Sequence, residues 1–178
     1  MLWSMNAGGL VAAAATIIGM SAAVPAQTVG SEAPLALIDS TGKRAATPLG
    51  DAVVLVRVTA DVRAPAFIRP IYDAEGRTAS GLATWAGGGS VLFTSADCTT
   101  GPFVHTLVNP GLRAASQVET PQGTMLYAGV IGAPTTIEVR SILYPTGCAA
   151  LRIRENGLVP VVASVNLTTA YPPPLSWQ

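Results

Sequence analysis

The chain has 178 residues, with ten basic and ten acidic side chains, one histidine and two cysteines. That balance leaves no electrostatic footprint for nucleic acid and no polybasic arm for an anionic membrane. Only 11% of the residues are charged, so self-repulsion is weak and association with copies of itself or with a cell wall is easier.

No charged side chain precedes Glu32, and from Ala7 to Ala26 the chain is Ala, Gly, Leu, Val, Ile and Met, broken only by Thr16, Ser21 and Pro25. The apolar centre Leu10 to Met20 has the length of a signal-peptide core and falls short of the roughly 20 residues of a bilayer span. Val24 and Ala26 fit the small-residue requirement of a signal peptidase, which predicts a cut after Ala26. Ahead of the core the α-amino group is the sole positive charge, a departure from the usual signal pattern. The competing readings are a buried helix and an uncleaved anchor. No cysteine follows the core, which sets aside a lipoprotein. The remainder is long enough for one domain and too short for two.

Beyond the signal the pattern is of short strands and turns. Leu35 to Ile38 runs into the turn Asp39-Ser40-Thr41-Gly42-Lys43, where Asp and Ser hydrogen-bond a turning backbone and Gly42 supplies a positive φ. Ala52 to Thr59 is rich in Val, and Val56-Arg57-Val58-Thr59 alternates. Pro65 and Pro70 bracket Phe67 and Ile68, which predicts an edge strand, since proline donates nothing to a ladder. Tyr72 to Arg77 is a further turn, and Gly87-Gly88-Gly89-Ser90 reads as a flexible loop before Val91-Leu92-Phe93.

After the turn Asp97 to Pro102, Phe103 to Val108 forms a strand closed by Asn109-Pro110-Gly111. Leu112 to Val118 is assigned a single helical turn. Strands follow at Met125 to Ile131 and Thr135 to Tyr144, with Ile137, Val139 and Ser141 on one face and Glu138 and Arg140 on the other. Leu151 and Ile153 alternate with Arg152 and Arg154, and Val161 to Leu167 alternates again. Turn signals about every ten residues predict a sandwich or barrel. The tail Tyr171 to Trp177 favours an extended polyproline conformation, as a strap that packs Leu175 and Trp177 on the domain.

Cys98 and Cys148 form an even pair, which in an oxidising compartment reads as a disulfide. Two cysteines without a second pair of ligands make no structural zinc site, and no Cys-x-x-Cys motif is present. Closing so long a loop restricts the unfolded chain by roughly 4 kcal/mol in the entropy picture.

Candidate chemistry is sparse. His105 sits in a strand close in sequence to Ser95 and Asp97, and a hydrolase triad needs such groups within hydrogen-bond reach of one another. No Gly-x-Ser-x-Gly elbow accompanies them. Asp73-Ala74-Glu75-Gly76 lacks the alternating oxygen ligands of a calcium loop. The Gly-rich run lacks the Gly-Lys-Ser/Thr ending that holds a phosphate. Asn166-Leu167-Thr168 matches a glycosylation sequon. Arg140, Arg152 and Arg154 fall on outward positions, where a basic stripe could meet a carboxylate or phosphate, or could be a solvated sheet face.

With the segment Val91 to Gly101 in view, the chain resembles a group of uncharacterised small exported bacterial β-rich proteins. The resemblance rests on a D-x-x-G-K hairpin (Asp39 to Lys43) and on a Phe/Tyr-x-x-x-Asp-Cys-x-Gly segment. It rests also on a second cysteine some way on (Cys148) and a Pro-Pro ending (Pro172 to Pro174) after a Val/Leu-rich strand. Here Thr100 intervenes before Gly101. The likeness implies secretion, one disulfide and a β-rich fold, and carries no active residues.

The sequence therefore predicts an all-β protein, an antiparallel β-sandwich or small barrel preceded by a cleavable signal helix. Its parts are a signal peptide (1–26), a β-rich domain (27–170) and a Pro-rich tail (171–178). The expected function is an exported, non-enzymatic binding or structural module of the periplasm or cell surface, without cofactor or metal. A protein or glycan partner and self-association are expected, with membrane contact through the signal segment alone. The alternatives are a secreted hydrolase using His105 and a small outer-membrane barrel.

Overall fold

The computed structural model describes residues 35–106 and 111–178; the expected signal segment 1–26 lies outside the described residues. The regular secondary structure of the described chain is almost all antiparallel strand, organised as a closed six-stranded barrel and a second six-stranded sheet. The barrel is built from β1 (Leu37–Ile38), β2 (Arg44–Pro48), β3 (Val53–Arg57), β4 (Arg63–Tyr72), β5 (Thr78–Trp85) and the C-terminal β12 (Leu175–Trp177). Its order is β1-β12-β5-β4-β3-β2. Between β5 and β12 the chain lays down the second sheet: β6 (Val91–Phe93), β7 (Pro102–His105), β8 (Ala115–Thr120), β9 (Gly123–Gly129), β10 (Thr135–Tyr144) and β11 (Gly147–Asn166). A one-turn helix, α1 (Leu167–Ala170), leads back to the barrel.

The first turn forms as its residues dictate. The Asp39 carboxylate accepts bonds from the Thr41 amide and hydroxyl at 2.9 and 2.6 Å and from the Lys43 amide at 3.0 Å, while Gly42 takes φ +83°. Burial works against the ionised form of Asp39. The bonds from the Thr41 hydroxyl and the Lys43 and Thr41 amides outweigh it and hold the carboxyl below the ordinary aspartate value.

Inside the barrel, Leu37, Val54, Val56, Ala64, Ala66, Trp85 and Leu175 are buried. Small side chains on β2 and β4 leave room for the Trp85 ring, whose indole N–H donates to the Tyr171 carbonyl at 2.9 Å. The same core takes in Leu126 and Ala128 from β9 and Leu167 from α1, so barrel and second sheet share it.

Three expectations are revised. First, β4 lies inside the sheet order, between β3 and β5, and is no edge strand. Its prolines are tolerated because β3 is its paired neighbour over Arg63–Phe67 and β5 over Ile68–Tyr72. Pro65 and Pro70 thus each face one strand, and the missing N–H has no second ladder to serve. Second, the helical turn assigned to Leu112 to Val118 gives way to the strand β8. Gln117 and Val118 are buried on its opposite faces, because the strand lies between two packed layers. Third, the tail does more than strap the domain. Leu175 is fully buried, and β12 pairs with both β1 and β5 to close the barrel.

The segments read separately at Leu151 to Arg154 and Val161 to Leu167 are one strand, β11. It pairs in turn with β10, β7 and β9, and the β10 and β9 pairings contain irregularities of register. At each, β11 spends one residue more than its partner, and such bulges bend a strand and increase its twist. Cys98, in the loop after β6, is bonded to Cys148 at the start of β11, with the two Cα atoms 6.0 Å apart. The disulfide is compatible with an oxidising compartment.

Candidate functional site

The structure separates the groups a His105 hydrolase would need. Ser95 and Asp97 lie in the loop that joins β6 to β7, where the Ser95 hydroxyl accepts from the Thr99 and Thr100 amides at 3.1 and 3.0 Å. Asp97 accepts from the Thr99 hydroxyl at 2.7 Å, and bonds from the Thr99 and Ser95 hydroxyls hold its carboxyl below the ordinary range. His105 is at the other end of β7: register places Pro102 beside Phe93, and the strand then runs away from the loop. Three strand steps, about 10 Å, separate it from Pro102. Its imidazole is exposed and makes no hydrogen bond among the described residues.

Arg140, Arg152 and Arg154 do share an arm, but with Glu138 among them. Arg152 approaches Glu138 at 3.2 Å and Arg140 at 3.6 Å, and Arg154 is its cross-strand neighbour. The stripe supplies its own carboxylate. In the turn after β4, Asp73 accepts from the Glu75 and Arg77 amides and pairs with the Arg77 guanidinium at 3.1 Å, which spends its oxygens on protein donors. Among the described residues no group of acids, histidines and cysteines is arranged to hold a metal ion. Asn166 caps α1 through Oδ1 and donates to the Gln122 carbonyl at 2.9 Å, so the sequon amide is occupied.

The Gly-rich run is a packed joint between the two sheets. A Cβ on Gly87 would fall 2.5 Å from the Glu119 Cβ, and one on Gly89 2.6 Å from the Ser116 hydroxyl. The backbone there must lie flat against β8. Tyr127, half-buried, lines a shallow depression with Met125, Leu143 and Tyr144, and burial pushes its phenol pKa up.

One constellation escapes the sequence reading. An open groove of about 550 Å³ on the barrel is lined by Lys43, Arg44, Arg57 and Arg63, with Thr47, Leu55 and Tyr171. Register gathers them at one end: β2 begins, β3 ends and β4 begins there, so Arg57 stands directly across from Arg63. None of the four makes an ion pair among the described residues, and the lining holds no carboxylate. Lys43 is fixed: its ammonium donates to the Ala170 carbonyl at 3.1 Å and sits 4.4 Å above the Tyr171 ring. The Tyr171 hydroxyl in turn donates to the Arg57 carbonyl at 3.1 Å. The signal was present in the sequence, since two arginines flanking the five-residue segment Val58 to Val62 become partners once that segment is read as a hairpin turn.

Comparison with protein-family models, curated proteins and solved structures finds no match to the chain.

The barrel's polarity is also informative. Its interior is apolar while Arg44, Arg57, Arg63 and Arg69 stand on its surface. A barrel immersed in lipid carries an apolar band on its outside.

Proposed function

We propose that the protein is an exported binding module of the periplasm or cell surface, and that it binds through the basic end of the barrel. The observation that carries this reading is the gathering of four cations on one groove whose lining holds no carboxylate and where none of them makes an ion pair among the described residues. Like charges set opposite each other across a strand pair are unfavourable, so the arrangement is better explained by a ligand than by stability. The remaining polar groups support it. Ser95, Asp97, Asp73 and Glu138 are engaged with neighbouring protein atoms and leave little for chemistry.

Export is supported by the apolar N-terminal segment and by the disulfide. Intact mass of protein from its native host should correspond to a chain that begins at Gln27, with or without cyclisation to pyroglutamate, and with both cysteines oxidised. A chain beginning at Met1 would make it an anchored protein. Assays against ester, peptide and glycan substrates should show no turnover above buffer; turnover abolished by His105→Ala would replace the binding reading with a hydrolase.

A further inference from the structure

We infer that the basic end of the barrel recognises phosphoryl groups, on a ligand that carries at least two negative charges. This rests on the binding reading above and names its ligand class. Four cations line the groove, three of them arginines. The guanidinium fork matches the oxygens of phosphate in a bidentate way that an ammonium does not. A phosphate monoester carries about −1.5 to −2 near neutral pH. One carboxylate would leave three cations unbalanced, whereas two phosphoryl groups come close to neutralising the set.

The geometry is prepared in part. Arg57 and Arg63 are held opposite each other by the β3–β4 register, and the turn between them is closed by the Val58 amide on the Val62 carbonyl at 2.8 Å. Lys43 is held at the groove by the Ala170 carbonyl and the Tyr171 ring. Tyr171 ties both sides together, since its hydroxyl bonds the backbone of Arg57. A ligand thus meets a cationic frame whose backbone and lysine are already positioned, and only the exposed guanidinium ends must be ordered. The Asp39 carboxylate, four residues before Lys43 in the β1–β2 turn, spends one oxygen on the turn itself and is not part of the lining.

The phosphoryl group can belong to a soluble molecule or to a lipid headgroup, and the test separates the two. The folded chain from Gln27 onward, as exported, is titrated with inorganic tripolyphosphate. It is also sedimented with phosphatidylcholine vesicles made with or without phosphatidic acid. Wild-type protein should bind one or both probes, less tightly as salt rises. Tripolyphosphate alone indicates a soluble ligand, and sedimentation with phosphatidic acid alone indicates a headgroup. The variant Arg57→Gln/Arg63→Gln should lose about tenfold or more in affinity for each guanidinium removed. Arg140→Gln/Arg152→Gln, with the same loss of charge on the β10–β11 arm, should bind as wild type. Without ligand the first variant should melt no lower than wild type, because an unfavourable like-charge pair is gone. Arg44→Gln, whose side chain makes no hydrogen bond among the described residues, provides the same readout without touching the hairpin. No binding of either probe, or an equal loss in the arm variant, overturns the inference. Either result leaves the export test untouched.

Discussion

The carboxamide of Gln117 takes the place of a ladder acceptor for the Phe67 amide. Its oxygen accepts the Phe67 amide at 2.8 Å, and its nitrogen donates to the Phe67 carbonyl at 3.0 Å and to the Ala86 carbonyl. One side chain thereby fastens β8 to the barrel at the point where β4 changes partners from β3 to β5. The group is buried, so its loss leaves backbone donors and acceptors without compensation. Gln117→Ala should cost about 2–4 kcal/mol and lower the melting temperature by roughly 10 °C, read by denaturant and thermal unfolding. A loss under a few tenths of a kcal/mol would show that water replaces the amide without penalty. Nothing local reveals this role. Leu112 to Val118 is assigned a helical turn from sequence, and nothing in Ala115-Ser116-Gln117-Val118 announces a strand with a protein layer on each side. The turn residues were legible for the opposite reason: Asp39 and Gly42 act on atoms two to four residues away, so their pattern and their physics coincide.

Elements were legible where alternation is strict and hidden where a strand must bend. Thr135 to Tyr144 follows its predicted faces, with Val139 and Ser141 buried and Glu138 and Arg140 exposed. In sequence β11 reads as two separate segments, Leu151 to Arg154 and Val161 to Leu167, with Asn156-Gly157 and Pro160 lying between them. In the structure Gly157 takes φ +72° at an irregularity of register, and the strand continues. The four cations of the groove were hidden for a related reason: the arginines come from three strands and Lys43 from the turn before β2, and only the register brings them together. The cysteines were legible, yet the loop they anchor is held twice. The Cys98 amide donates to the Ser141 hydroxyl at 3.0 Å, and that hydroxyl donates to the Ser95 carbonyl at 2.6 Å. Cys98→Ser/Cys148→Ser should therefore still fold. It should lose about 2–4 kcal/mol, chiefly by freeing the unfolded chain over a separation of 50 residues. Adding Ser141→Ala should cost more in the reduced background than in the bridged one, since both devices hold one loop. Strict additivity in that cycle, or two free thiols in the natively exported protein, would falsify the shared role.

At the level of the whole molecule, chain order makes the barrel depend on the second sheet. β1 and β5 do not pair with each other; β12 lies between them, and the chain reaches β12 only after β6 to β11 are laid down. The shared core points the same way, with Leu126 and Ala128 of β9 and Leu167 of α1 packed among barrel residues. An all-β class was readable from the spacing of turns, but closure was not, because a Pro-Pro tail carries no sign that Leu175 will be buried between two distant strands. If closure couples the sheets, a cavity at Leu175 is felt in both. Leu175→Ala should cost about 2–5 kcal/mol. Native-state hydrogen exchange should then show the slowest amides of β5 and of β9 losing protection by the same amount, as one cooperative unit. Faster exchange in β5 with β9 unchanged would mean that the second sheet stands alone and the barrel merely leans on it. A core that runs from Trp85 through Leu126 to Leu167 commits the Leu126–Ala128 face of β9 to the barrel, and so favours the single unit.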